Sequence, residues 1–241
     1  MTESKNIWII GASSGIGEAL AKQLSSSGNK VFISARSADK LEIISKETRA
    51  IAYALDVTNF DEIKAAAQKI GKINSVIFMA GVYTPMSFEN MQIAEANQII
   101  DVNFKGALNT VLAVLPILKA QGFGQIALCG SVAGYIGLPN GQPYSATKAA
   151  IINLAESLRA EVPSFIDIKL ISPGFVKTKL TDKNSFDMPA IITPEKAAQE
   201  IIKGLNNKGF EIHFPKKFTY FMKLMRLLPY FVYLRISKKL V

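Results

Sequence analysis

The chain opens with the apolar run Ile7-Trp8-Ile9-Ile10 and passes straight into Gly11-Ala12-Ser13-Ser14-Gly15-Ile16-Gly17. Three glycines at the spacing G-x-x-x-G-x-G, between a strand-like run and a helical pattern, constrain the fold more than any other feature. They permit a tight turn and let the main chain approach a pyrophosphate at a helix N-terminus, where free N–H groups and the helix dipole favour an anion. A plain glycine turn is the alternative; the position of the motif, after the first strand and opening the first helix, decides for nucleotide binding. The rest of the chain continues the alternation. Apolar runs at 7–10, 31–34, 51–55, 75–79, 125–129, 166–171 and 210–214 read as strands. Helical patterns lie between them at 15–26, 38–46, 60–70, 95–121, 143–161 and 194–206. The runs rarely alternate with polar residues, as expected for strands buried on both faces. The predicted class is therefore α/β, a doubly wound parallel sheet of about seven strands with helices on both faces.

A chain of 241 residues with 49% hydrophobic content can bury one sizeable core. A single catalytic domain over 1–214 and a basic amphipathic tail over 215–241 is the expected organisation. The first residues show no basic stretch followed by an apolar run, and Cys129 is the only cysteine. Both fit a reducing, cytoplasmic setting, and no intramolecular disulfide can form. With His213 the only histidine, a His/Cys metal site is not expected. The net charge of +9 is unevenly placed. From Ile212 to Val241 there are seven Lys/Arg and no Asp or Glu, which leaves the other 21 of the 28 basic residues against all 19 acidic ones. The body of the protein therefore offers no nucleic-acid-binding face on grounds of charge.

The second strand ends in Ser34-Ala35-Arg36-Ser37, with no acid before Asp39. A cofactor with free ribose hydroxyls usually meets a carboxylate there, whereas a 2′-phosphate calls for arginine, so Arg36 favours NADP(H) over NAD(H). Asp56-Val57 follows the third strand; the Asp56 carboxylate can accept from an adenine amino group or cap the next helix. Further on, Tyr144 and Lys148 stand four residues apart, on one helical face. A free phenol has a pKa of about 10 and is a poor acid near neutrality. A cation one turn away favours the phenolate and lowers that value. Ser131, thirteen residues upstream, supplies a hydroxyl that can hold a carbonyl oxygen beside the phenol. Together these groups make a proton donor for a carbonyl under reduction.

Taken in order, these residues resemble the short-chain dehydrogenase/reductase family in its compact single-domain branch, over residues 6 to about 213. Gly11, Gly15 and Gly17 match its cofactor glycines, with Ser13, Ser14 and Ile16 between them. Ala80-Gly81 matches the end of its N-N-A-G motif, Asn103 its helix asparagine, and Pro173-Gly174-Phe175-Val176-Lys177-Thr178 its P-G loop. The resemblance implies a Rossmann-type sheet and a homodimer or homotetramer. It implies that Tyr144 protonates the substrate oxygen and that Lys148 binds the nicotinamide ribose and depresses the Tyr144 pKa. Ser131 would hold the substrate oxygen, Asn103 would help hold a water linking Lys148 to solvent, and Thr178 would orient the carboxamide. Two positions depart from the family. Ile10 stands where it usually has Thr, and Phe78-Met79 where it has two asparagines. An apolar contact between Ile10 and Met79 is the expected replacement for a polar tie between neighbouring strand ends.

The resemblance makes 180–192 a lid over the substrate. With Val82, Tyr83, Ile136, Leu138 and Pro139 it would form mostly apolar walls, so a lipophilic ketone or aldehyde is the expected substrate. In the tail, Phe218, Phe221, Met222, Met225 and Leu228 fall at helical spacing, with Lys216, Lys223 and Arg226 on another face. Two readings weigh equally. The segment lies on the inner face of a membrane, or it packs on its own or a partner subunit and roofs the pocket. The leading reading is an NADPH-dependent carbonyl reductase. An NAD(P)-dependent alcohol dehydrogenase running in the oxidative direction uses the same residues. A non-catalytic dinucleotide-binding sensor or scaffold would lack part of the Asn103, Ser131, Tyr144 and Lys148 set, which is complete here.

Overall fold

The computed structural model describes residues 4–184 and 186–237. Lys238 and Lys239 of the tail and Ser185 of the expected lid lie outside the described residues. Seven strands form one sheet: β1 (Asn6–Ile10), β2 (Lys30–Ala35), β3 (Ile51–Ala54), β4 (Ser75–Phe78), β5 (Gly124–Cys129), β6 (Ile166–Pro173) and β7 (Glu211–Phe214). Every pairing is parallel, in the order β3-β2-β1-β4-β5-β6-β7. The strand order reverses beside β1, which pairs with β2 on one edge and β4 on the other. A crevice opens beyond the carboxyl ends of strands at such a point, which is where open α/β sheets bind ligands.

Side chains alternate across the strands and feed two separate cores. On one face Trp8, Ile10 and Phe78 pack under α3 (Phe60–Ile70), α5 (Gly106–Gln121) and α6 (Tyr144–Glu161), through Ile63, Val111 and Ala155 among others. On the other, Ile9, Ile33 and Ile77 pack under α1 (Gly15–Ser26), α2 (Ala38–Thr48) and α7 (Pro194–Leu205), through Leu20, Leu41 and Ala198. Thr193 caps α7 by accepting from the Lys196 N–H at 3.2 Å, with Pro194 in the first turn, as the Thr-Pro-Glu sequence predicts.

The helix predicted over 95–121 is two helices joined by a π-helical turn. α4 (Ile93–Ile100) runs through Asp101–Lys105 into α5. This continuous helix, Ile93–Gln121, is long and apolar enough to cross a membrane by composition, but 56% of its apolar window is buried inside the domain. Its apolarity is that of a core helix.

One expectation is corrected. Ile10 lies opposite Phe78 in the β1–β4 register, and both side chains belong to the same face. Met79 points to the other face, against the core that holds Ile77. The strand ends are tied instead by the backbone, with the Met79 N–H donating to the Ile10 carbonyl at 2.7 Å. The tail packs in part on its own domain, one of its two readings. It forms α8 (Lys216–Arg226) and α9 (Tyr230–Ser237), and α8 folds back on the domain. Met222 and Met225 are buried, but Phe221 is exposed, and a second apolar row on α8 faces outward.

Candidate active site

The carboxyl ends of the strands surround a cleft of about 620 Å³. Its floor is the turn between β1 and α1. The N–H groups of Gly11 and Ala12 both donate to the Ser34 carbonyl, at 2.7 and 3.1 Å, which binds the turn to β2. A Cβ on Gly11 would sit 2.3 Å from the Ala80 nitrogen, and one on Gly17 would sit 2.2 Å from the Gly11 oxygen. The turn, the start of α1 and the loop after β4 thus pack backbone against backbone, and only glycine permits that approach. Ser14 precedes α1, but its side chain makes no capping bond. The first N–H groups of α1 are therefore left for a ligand rather than satisfied by a side chain.

Gly11, Ser13, Ser14, Gly15, Ile16, Gly17, Arg36, Val57, Ala80, Gly81, Pro173, Gly174, Val176 and Thr178 all line the cleft, as do Ser131, Tyr144 and Lys148. Two expected residues do not. Asp56 Oδ1 instead accepts from the Thr58 N–H at 2.9 Å and the Thr58 hydroxyl at 2.8 Å, and the helix cap, its alternative role, falls to Asn59, which accepts from the Asp61 and Glu62 N–H groups. Asn103 lies beneath the wall, fully buried in the π-helical turn, a distortion frequent at functional sites. Its Oδ1 accepts from the Val82 N–H at 2.8 Å, and its Nδ2 donates to the Val82 carbonyl at 3.0 Å and to Thr147 Oγ1 at 3.2 Å. It clamps the loop after β4 to α6.

Lys40, on the first turn of α2, also reaches the cleft beside Arg36 and Ser37. Sequence reasoning missed it, although Lys40 follows Arg36 by four residues. Among the described residues the cleft is lined by Arg36, Lys40, Lys148 and Lys179 and by no carboxylate. The glycine cradle, the uncapped helix start and this charge all fit a dinucleotide polyanion.

At the other end stand the proton-handling groups. Tyr144 opens α6 and Lys148 follows one turn later, its ammonium 5.5 Å from the centre of the phenol ring. Lys148 is buried and donates to the Cys129 carbonyl at 2.8 Å. An ammonium has three donors, so others are left for the cleft. Ser131 caps a short 3-10 turn, Val132–Gly134, by accepting from the Ala133 N–H at 3.1 Å. That turn is held to α6 by the Ser145 hydroxyl, which donates to the Ala133 carbonyl at 2.5 Å. These ties set Ser131 against Tyr144 before any ligand binds.

Burial pushes the Tyr144 phenol above its ordinary value, and the Ser131 hydroxyl opposes this without reversing it. Burial also holds the Lys148 ammonium below its usual range. The net lowering of the tyrosine expected from the lysine is therefore not found. The desolvation of the phenol dominates. Tyr144 holds its proton at neutral pH, which is the state a proton donor needs.

Aromatic side chains flank this end. Tyr83 meets Tyr144 edge-on with ring centres 4.9 Å apart, and Phe175 meets Phe186 edge-on at 5.8 Å. The expected lid is tied to the loop after β4. The Tyr83 hydroxyl donates to Asn184 Oδ1 at 3.0 Å, and Lys183 Nζ donates to the Tyr83 carbonyl at 2.8 Å.

The sequence model of the short chain dehydrogenases matches residues 5–188. The chain belongs to the short-chain dehydrogenase/reductase family. Its curated relatives are oxidoreductases, and the protein is an enzyme of that class. An uncharacterised oxidoreductase of Staphylococcus saprophyticus is 39% identical over 190 residues, covering 75% of this chain and 77% of the relative. One from Myxococcus xanthus is 32% identical over 231 residues, covering 92% and 91%. Among solved structures, an alcohol dehydrogenase from Thermococcus sibiricus, complexed with 5-hydroxy-NADP, superposes with a TM-score of 0.80 at 27% identity, covering 88% of this chain and 96% of that one. Two Burkholderia short-chain dehydrogenases share the fold. The B. cenocepacia protein, in complex with NADP, has a TM-score of 0.81 at 24% identity, covering 92% of each chain. The B. phymatum protein, in complex with NAD, has a TM-score of 0.85 at 21% identity, covering 92% of this chain and 93% of that one.

Proposed function

We propose that this short-chain dehydrogenase reduces a lipophilic ketone or aldehyde to the alcohol, using NADPH. The observation that carries the reading is Tyr144 standing with Ser131 and Lys148 at one end of a cleft whose other end holds Arg36 and Lys40. NADP, 5-hydroxy-NADP and NAD bound by the structural relatives support a nicotinamide dinucleotide here. The two cations beyond β2, in a cleft that no carboxylate among the described residues lines, favour the form with a 2′-phosphate.

Bound in the cleft, the dinucleotide supplies the hydride. The residues of the chain do the rest. Ser131 donates to the carbonyl oxygen and orients it. Tyr144 gives its phenolic proton to that oxygen as negative charge develops there. Lys148 holds the ribose with the donors not used by Cys129 and keeps positive charge near the phenol as it becomes phenolate. Asn103 fixes the Val82 loop and α6, and so the spacing of the set. The aromatic flank of Tyr83, Phe175 and Phe186 suits an apolar carbonyl compound.

The test is NADPH oxidation screened over fatty ketones, aldehydes, steroids and small quinones, with NADH in parallel. NADPH should be consumed with at least one lipophilic carbonyl and NADH much less. Tyr144→Phe should lower turnover by about a hundredfold to ten-thousandfold while NADPH binding persists. Turnover unchanged by that substitution would remove the assigned role.

A further inference from the structure

We propose that the outward face of α8 and α9 docks on an anionic lipid surface. The inward face of α8 is already satisfied. Met222 and Met225 are buried in the domain, Thr219 Oγ1 lies 2.6 Å from His213 Nδ1, and Lys223 pairs with Glu211 at 2.5 Å. Outside this packing lies a second apolar surface. Leu224, Leu227, Phe231 and Leu234 are 60%, 79%, 67% and 51% exposed. Leu224 and Leu227 stand three residues apart at the end of α8, and Phe231 and Leu234 three apart on α9 beyond the break at Pro229, so each helix carries part of an exposed apolar patch. Tyr220 and Tyr230 are also exposed on these helices. An amphipathic helix of a domain normally has one apolar face, the one turned to the core. Here the core takes one face and a further apolar surface remains in water, the mark of an interaction site.

Charge selects the occupant. Lys216, Lys217, Arg226 and Arg235 are exposed on the same two helices, and none has a carboxylate partner among the described residues. No acid occurs anywhere from Ile212 onward. A second copy of this face would set these cations against themselves, because a two-fold contact pairs the same patch with itself. An anionic headgroup layer would neutralise them instead, while their stems follow the apolar patch into the interface. With 11 and 8 residues the helices are far too short to span a bilayer, so they lie in its surface. The same helices border the site. Phe218 packs on Phe175 with ring centres 5.4 Å apart, and the Tyr233 hydroxyl donates to the Gly137 carbonyl. Docking would turn the substrate end of the cleft toward lipid. That consequence rests on the reductase reading; the docking itself does not.

The test is sedimentation of the full-length protein with phosphatidylcholine vesicles, with and without phosphatidylserine, at low and high salt. Binding should require phosphatidylserine and weaken as salt screens the cations. Leu227→Asp with Phe231→Asp should reduce binding about tenfold or more. Lys216→Glu with Lys217→Glu should reduce it by a similar factor through charge. All four positions are exposed, and an unchanged thermal melt would show that both variants keep the fold. No sedimentation, equal binding to neutral vesicles, or binding unaltered in both variants would overturn the proposal. So would a wild-type dimer that the apolar pair of substitutions dissociates without any vesicle binding, which would give the face to a second copy. No substrate is present, so failure here would leave the reductase reading untouched.

Discussion

Arg36 and Lys40 meet at the cleft from different elements, the end of β2 and the first turn of α2, and share one task if the cofactor carries a 2′-phosphate. Removing a charged hydrogen-bond partner costs about 1.5–3 kcal/mol, or about tenfold to a hundredfold in affinity. Arg36→Ala should therefore raise the KM for NADPH by about that factor and leave the KM for NADH nearly unchanged. Lys40→Ala should act in the same direction. Steady-state kinetics with the two cofactors measures both; an equal loss for NADH would assign these residues to something other than the phosphate. The residue scale also separates roles that sequence order runs together. Asn103 belongs to the expected catalytic set, but its side chain is occupied by Val82 and Thr147 and it lies off the cleft wall. Those contacts join the loop after β4 to α6, the helix that carries Tyr144 and Lys148.

At the scale of elements, α8 is held by a small polar network. Glu211 on β7 pairs with Lys223 and accepts from the Tyr135 hydroxyl, and Tyr135 follows the short turn that Ser131 begins. Burial pushes the Glu211 carboxyl up, but Lys223 and Tyr135 outweigh it and hold it below its ordinary range. Burial, with the Lys223 and Lys216 charges, also holds His213 low. Both folded-state values lie below the unfolded ones, so the unfolded chain binds more protons within each window. The stability they contribute is complete above about pH 6.5 for His213 and about pH 4.5 for Glu211, and is lost as pH falls through the folded values. Glu211→Gln should lower stability at pH 7 by about 1–3 kcal/mol. It should also flatten the fall below about pH 4.5, leaving the shallower histidine limb. Urea melts from pH 7 to about pH 2 would show this, and identical slopes in the two proteins would count against the network. This is also the scale at which sequence was most readable. All seven strands stand within two residues of their predicted ends, because apolar runs bounded by turns are a local signal. The glycine turn and the Tyr144–Lys148 helix were legible for the same reason. The Ile10–Met79 contact was not, since a shift of one residue moves a strand side chain to the other face and only the β1–β4 register fixes it. Nor was the π-helical turn at Asn103, which leaves no mark in the apolar period.

For the whole molecule, the tail decides how far the domain extends. A boundary at 214 follows the change in charge along the chain, but charge reports solvent contact and the core does not stop there. Met222 belongs to the same buried cluster as Trp8 and Phe78, and Phe218 packs against it. Sequence periodicity located an apolar stripe on α8 without showing which face the domain would take, because that depends on where β7 ends and how the chain turns. Ending the chain at Pro215 would uncover the patch beneath Met222 and Met225 and break the Lys223–Glu211 pair. Losing two buried methionines costs about 1.5–3 kcal/mol each in apolar burial alone. Ending it at Pro229 would remove chiefly exposed apolar side chains and the Tyr233 contact with Gly137. The first truncation should lower Tm by about 4 °C or more, or abolish soluble expression. The second should leave Tm within about 2 °C of the full chain, because surface changes seldom exceed about 0.5 kcal/mol. Thermal melts of the two shortened proteins separate the structural part of the tail, α8, from the part left for an outside surface. Equal and small losses in both would show that the whole tail is peripheral. Equal and large losses would show that α9 is as structural as α8 and is not left for a partner.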